Sequence, residues 1–401
     1  MFGAIYIGLS GLNAYSNGLK QVSNNVTNLN TSGFKGQTVT FENYAGRSDL
    51  GGLSFSLEGQ GTGGGVETGK SQLDLRQGEL RQTDRDLDLT VDGTGFLVLF
   101  DGSEMLYTTT GSFSIDKEGY IVLTGTNYRL ATLDASNQPV ALSIDLSRTN
   151  PPKATTTVKF TNNLSADAKD PHSVSNIKVY DSTGKMHTWT ATFTKKPNPD
   201  TTTNPGATFW DVDVTDSTGK TIVEDKTLKF VNGIIDQTTA RFDATNSDVS
   251  LTVKLDFAAG VTSQSGGAIS QLSTSSVDGY GLGSLTSVGI NADGEVELGY
   301  SNEQKTQLGA VAIADFREPQ VLESRGASLF GVIGNGQPEI MTSADPRVGQ
   351  VVGRRLEASN VDLSRQFGDL ILIQRGFQAS SQIVSVSNDM IQQLFGIRGQ
   401  G

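Results

Sequence analysis

Both ends of this 401-residue chain carry apolar residues at heptad spacing, a period that strands and loops do not sustain and that constrains each end to helix. Near the start, Ile5, Leu12, Leu19 and Val26 stand seven apart, and a second series, Met1, Gly8, Tyr15, Val22 and Leu29, runs three residues behind it. Near the end, Leu363, Leu370, Phe377, Val384 and Ile391 repeat the spacing. A helix with an apolar stripe must bury it. Two such helices at opposite ends of a long chain have two sources of cover, each other and further copies. The spacing therefore predicts an assembling protein, with Ile5, Leu12, Leu19, Val22, Val26, Leu29, Leu363, Leu370, Phe377, Val384 and Ile391 at the subunit interface.

Between the ends the texture is β, and it divides. A Gly/Ser/Thr/Asn stop at Asn30 to Gly36 closes the first helix, and a polar, Gly-rich passage follows to about residue 70. From Leu73 the period becomes two. Leu87 to Asp92 alternates, turns at Gly93-Thr94-Gly95 and continues as Phe96 to Leu99, which reads as a hairpin; Ser112 to Ile115 with Tyr120 to Leu123, and Ser287 to Ile290 with Val296 to Tyr300, read as two more. Between residues 146 and 285 lie Thr/Asn/Asp/Lys-rich strands with an exposed tip at Pro197 to Pro205 and a Gly/Ser exit. The expected fold class is multidomain α+β: mainly β domains nested in series, with the terminal α-helices forming a coiled-coil-like domain. The expected domains are a helical one from 1–35 and 357–401, a Gly-rich arm at 36–70, a discontinuous β domain from 71–145 and 286–356, and an inserted β domain at 146–285.

Composition removes several function classes. A net charge of −12 with no basic run argues against nucleic acid. No cysteine is present, so disulfides and thiolate metal sites are excluded. The first dozen residues lack a positive n-region and an uninterrupted apolar core, and nowhere do eighteen apolar residues run together, so neither a cleavable secretory signal nor membrane insertion is expected.

One motif suggests an enzyme. Gly64 to Ser71 satisfies the P-loop pattern G-x-x-x-x-G-K-[ST], but a working P-loop opens a helix, and Gln72 to Gly78 alternates like a short strand. Asp84, Asp86 and Asp88 have the opening spacing of a calcium loop without its glycine or closing glutamate. His172 and His187, the only histidines, lie beside turn residues and read as surface groups. No catalytic, cofactor or metal site is expected.

Three N-terminal segments, Ser10 to Ala14, Asn24-Asn25-Val26-Thr27-Asn28 and Thr31-Ser32-Gly33-Phe34-Lys35, resemble the opening signature of the bacterial flagellar axial proteins of rod and hook. Leu356 to Leu363, which contains Ser359-Asn360-Val361-Asp362, and Gln374-Arg375-Gly376-Phe377-Gln378-Ala379 resemble that family's C-terminal helix. Gln77 to Leu80, Gly93 to Phe96 and Tyr107 to Phe113 look like its shared β domain, and Val179 to Gly184 and Tyr300 to Gln304 like segments of its hook-type members. Three positions depart from the pattern: Thr109 stands where an arginine is expected, Asp84-Arg85 where Gly-Asn is expected, and Glu303 where glycine is common. The resemblance marks Asn24, Asn25, Gly33, Phe34, Lys35, Ser359, Asn360, Val361, Asp362, Gln374 and Arg375 as motif residues. It implies a homopolymer forming a curved, torque-transmitting tube outside the cell, which meets rod, hook-cap and hook–filament junction proteins and leaves through the flagellar export apparatus. A distal rod or junction protein shares these termini, and a secreted adhesin is the alternative of another class.

Overall fold

The computed structural model describes residues 2–43, 65–199, 205–326, 328–334, 336–343 and 345–398. Part of the Gly-rich arm and part of the tip at Pro197 to Pro205 lie outside these. The chain is mainly β-strand with one long helix near each end, α1 at Phe2–Thr27 and α2 at Leu363–Arg398. It separates into two compact units: Met1–Asp145 with Val288–Leu298 and Gln307–Gly401, and Leu146–Ser287 with Gly299–Thr306.

The first unit holds both helices and a large antiparallel sheet. The strands Leu322–Gly326, Leu329–Val332, Glu104–Thr108, Phe96–Asp101, Arg129–Leu133, Ile121–Leu123, Thr110–Ile115, Asp88–Asp92 and Gln350–Gly353 lie side by side in that order. Phe96, Tyr107, Phe316 and Phe330 meet edge to face in its core, with the Tyr107 and Phe316 centroids 4.9 Å apart.

The expected hairpin at Gly93-Thr94-Gly95 does not form. Asp88–Asp92 pairs with Thr110–Ile115 and Gln350–Gly353, whereas Phe96–Asp101 pairs with Glu104–Thr108, Arg129–Leu133 and Ile313–Asp315. The turn is captured by a distant segment: Gly95 N donates to Val348 O at 3.0 Å, and Gly93, at φ 153°, packs so closely that a β-carbon there would stand 2.6 Å from Gly349 Cα. Only glycine tolerates that approach. The second expected hairpin is present, with Ile121 opposite Ile115 and Leu123 opposite Phe113. In the third, Asn291 N donates to Glu295 O at 3.0 Å.

The second unit is a ten-stranded sheet built around Trp189, Trp210, Phe160, Phe193, Phe230 and Phe257, all fully buried. Two of its hairpins turn on the same pentapeptide. In Asp181-Ser182-Thr183-Gly184-Lys185 the aspartate Oδ1 accepts from Thr183 N at 2.8 Å and Lys185 N at 3.1 Å; in Asp216-Ser217-Thr218-Gly219-Lys220 it accepts from Thr218 N at 2.8 Å and Lys220 N at 2.9 Å. Both glycines sit at φ 83°, the left-handed conformation such turns require.

Candidate assembly site

The helices α1 and α2 lie antiparallel, because contacts advance along one as they retreat along the other. A β-carbon on Gly8 would stand 2.7 Å from Val384 Cγ2, Gly11 faces Ser380, Gly376 faces the Tyr15 ring, Gly18 faces Ile373 and Asn25 Nδ2 donates to Gln366 Oε1 at 3.0 Å. The facing side of α1 is thus Gly8, Gly11, Ala14, Gly18, Val22 and Asn25, all buried, and that of α2 centres on Ile373, Ser380 and Ser387. Small residues at the crossing let two backbones approach closely, and large side chains are turned outward.

That geometry distributes the stripe residues. Val22 is buried in the pair; Ile5, Leu12, Val26, Leu29, Leu370, Val384 and Ile391 are half-buried; Leu19, Leu363 and Phe377 are exposed. Around α2, Leu363, Phe367 and Ile371 line one flank at four-residue spacing, while Leu372, Ile383, Val386 and Met390 line another. On α1, Tyr6, Ile7 and Leu9 are also exposed. A helix apolar on several faces is made to be enclosed.

A buried polar latch ties the ends of both helical segments to the sheet. Lys35 Nζ lies 2.7 Å from Glu357 Oε1, with both side chains at most 2% exposed. The same oxygen accepts from Gly78 N at 2.6 Å, Glu357 Oε2 accepts from Thr109 Oγ1 at 2.5 Å, and Lys35 Nζ also donates to Arg76 O at 3.0 Å. Every charge in this dry site therefore has partners, as burial demands. Backbone bonds reinforce it: Gly33 N donates to Glu357 O and Asn360 N to Phe34 O. Gly33 sits at φ 70°, and a β-carbon there would stand 2.6 Å from Thr110 Cγ2.

The motif asparagines act as backbone bridges. Asn25 accepts from Gln37 N at 3.0 Å and donates to Gln37 O at 2.8 Å; Asn360 accepts from Gly36 N at 2.8 Å and donates to Asp74 O and Arg76 O. Asp362 caps α2, its Oδ1 accepting from Ser364 N at 2.8 Å and Arg365 N at 3.2 Å, and Ser359 Oγ accepts from Val361 N. Asn24 Oδ1 accepts from Asn28 Nδ2 one turn on, while Gln374 and Arg375 are exposed on α2 and take no part in the latch. Glu357, Gly78 and Thr109 stand outside the site residues that the motifs mark. Charge alone points to Glu357 only as one of two candidates, since the N-terminal motif carries Lys35 and the C-terminal one both Glu357 and Asp362.

The chemical motifs resolve differently. Val66–Thr68 is a strand paired with Phe41–Asn43, and Gln72–Leu73 is a strand paired with Gln37–Thr38, so the P-loop pattern opens no helix; its first residue, Gly64, lies outside the described residues. Asp86 binds Arg354 and Asp88 binds Ser112, so the aspartates do not converge. Among the described residues no cluster of metal-ligating side chains occurs, and no helix is long and apolar enough to cross a membrane. The histidines are not free surface groups: half-buried His187 Nε2 lies 2.9 Å from Asp181 Oδ2, and His172 Nε2 lies 2.8 Å from Leu272 O. Sheet turns supply partners that sequence proximity to a loop does not reveal.

Two segments matching known families hold the two halves of this site. Residues 5–35 match the flagella basal body rod protein family, and residues 352–397 match the C-terminal region of the flagellar basal body rod FlgEFG proteins. Both ends of the chain thus resemble flagellar basal body rod proteins. Over its length, the chain is 28% identical to the flagellar hook protein FlgE of Salmonella typhimurium, over 97% of this chain and 98% of that one. It is 27% identical to FlgE of Borreliella burgdorferi over 99% of this chain and the whole of the relative. The solved flagellar hook protein FlgE2 of Helicobacter pylori shares the fold, with a TM-score of 0.50 at 13% identity over 69% of this chain and 99% of that one.

Proposed function

We infer that this chain is a structural subunit of the flagellar hook and that it polymerises through its terminal helices. The observation that carries the reading is the small-residue seam between α1 and α2, which spends the glycines inside the subunit and leaves two apolar flanks of α2 without cover. Neighbouring copies cover them, which makes the terminal-helix contacts the strong interface of a tube wall. The β units carry the weaker contacts that change as a curved hook turns and transmits torque, and the inserted unit, residues 146–285 with the returning tip, contributes to curvature. The rod, hook cap and hook–filament junction proteins meet the ends of the polymer. The subunit reaches the outside through the flagellar export apparatus.

Two substitutions on exposed positions test this. Phe377→Asp and Ile371→Asp leave the subunit fold intact, because neither side chain is part of its core, yet each places a charge in the wall. Soluble, secreted, folded subunit with no hook by electron microscopy is the expected result, and normal hooks from both variants overturn it.

A further inference from the structure

The second unit is entered and left through two segments, at residues 147–153 and 280–287, and both are held by a third, the hairpin tip Gly299–Thr306. The two segments pair with each other: Thr149 lies opposite Ser284 and Asn150 opposite Gly283, and Lys153 and Tyr280 exchange both backbone hydrogen bonds at 2.9 Å. The tip then bonds to each. Tyr300 Oη donates to Ser147 O on the entering segment at 2.8 Å, and Asn302 Nδ2 donates to Gly281 O on the leaving segment at 2.9 Å. Ser301 N donates to Ser284 O and Ser284 N to Ser301 Oγ, so the tip also continues the pairing.

The tip is built to hold these positions. Glu303 takes the left-handed φ of 62° and donates its N to Tyr300 O, while Gln304 N donates to Asn302 Oδ1, which orients the Asn302 amide with its nitrogen toward Gly281. Tyr300 is buried to 6% exposure, so its ring is fixed by packing and its hydroxyl makes a directed, part-buried bond to Ser147 O. Gly283 is a glycine for the same reason: a β-carbon there would fall 2.6 Å from Asn302 Cγ, in the space that the amide occupies.

We propose that Tyr300 and Asn302 are positioning residues that clamp the base of the inserted unit. They fix the register of its entering and leaving segments, so that the unit responds to load as one body down to its base instead of fraying at two separate linkers. Gly283 on the leaving segment then serves close packing under Asn302 and not freedom of rotation. The mechanical half of this proposal rests on the hook reading, whereas the clamp itself does not.

The test is hydrogen exchange on the full chain, comparing Tyr300→Phe, Asn302→Ala and Gly283→Ala with the parent. Tyr300→Phe removes only a hydroxyl, and Gly283→Ala displaces the Asn302 amide without touching Asn302, so it should reproduce Asn302→Ala. The expected result is exchange at Ser284 and Leu285 about tenfold faster in all three, with the strands Met186–Lys196 and Ala207–Asp216 unchanged and the thermal midpoint held. Unchanged exchange at the base overturns the clamp. Acceleration spread equally through the core also overturns it, because the tip is then ordinary packing. Hooks assembled from Asn302→Ala subunits should form but lose uniform curvature; normal curvature despite a loosened base refutes the mechanical half. If the protein is absent from hooks altogether, the hook reading fails while the exchange result stands.

Discussion

Lys35 and Glu357, 322 residues apart in the chain, form a single buried ion pair with Nζ and Oε1 2.7 Å apart. Removing one partner strands a charge that water cannot reach, at a cost of about 3–5 kcal/mol, whereas replacing both by apolar groups is far less damaging. Glu357→Ala should therefore unfold at markedly lower urea than the parent, and Lys35→Met with Glu357→Leu should recover most of the loss. Equal destabilisation by the single and double variants would show that the pair contributes no more than its packing volume.

Thr109 supplies the bond to the second carboxylate oxygen. Thr109→Val keeps the shape and removes the donor, leaving Glu357 Oε2 without that bond at a cost of about 1–3 kcal/mol. Thr109→Ser should restore it. Denaturant midpoints of the two variants decide the matter, and a valine variant as stable as the serine one would dismiss the bond.

Gly376→Ala sets two effects of opposite sign against each other. Alanine favours helix over glycine by about 1 kcal/mol. Yet its methyl would run into the Tyr15 ring across the seam, 2.5 Å from Tyr15 Cε1. We expect the contact to win: lower thermal stability of the helix pair by circular dichroism and fewer tubes. A gain in helicity with normal assembly would mean the seam yields easily.

The paired turns of the second unit give a pH prediction with its own control. His187 first, and then Thr183, hold the Asp181 carboxyl well below the usual carboxylate range. A carboxylate whose folded pKa lies under its unfolded one contributes stability above the unfolded value, and that contribution is lost as pH falls below about 4. Asp181→Asn should thus lower stability at neutral pH and flatten its fall in acid. Asp216, lowered chiefly by Thr218 and lacking a histidine, should show the smaller effect when changed to Asn. Melting curves from pH 2 to 7 that respond identically would remove His187 from the account.

What could be read in the sequence follows from how local each determinant is. The helices announce themselves because Leu12 and Leu19, or Leu370 and Phe377, carry their period within a few turns. The partner of each face does not, since Gly8, Gly11 and Gly18 have no hydropathy to report and register only as weak helix formers, although they make the seam. Gly93-Thr94-Gly95 looks like a hairpin turn until Val348 is placed beside it, some 250 residues downstream. Family resemblance marks the motif residues Asn25, Lys35 and Asn360, but their contacts depend on Gln37, Glu357 and Asp74, which no spacing rule joins. Thr109, noticed only as a departure from the family pattern, turns out to touch the central carboxylate.

The latch also governs when the subunit becomes itself. Its closing contact and the whole α1–α2 seam join opposite ends of the chain, so neither exists while one end is still missing. Contacts this remote in sequence form slowly and carry a large loop-closure cost. A chain emerging N-terminus first can thus raise the second unit, Leu146–Ser287 with Gly299–Thr306, while the seam stays unmade. The seam is complete only once α2 has followed, and a copy cut short before Leu363 lacks the surface that the helix pair presents.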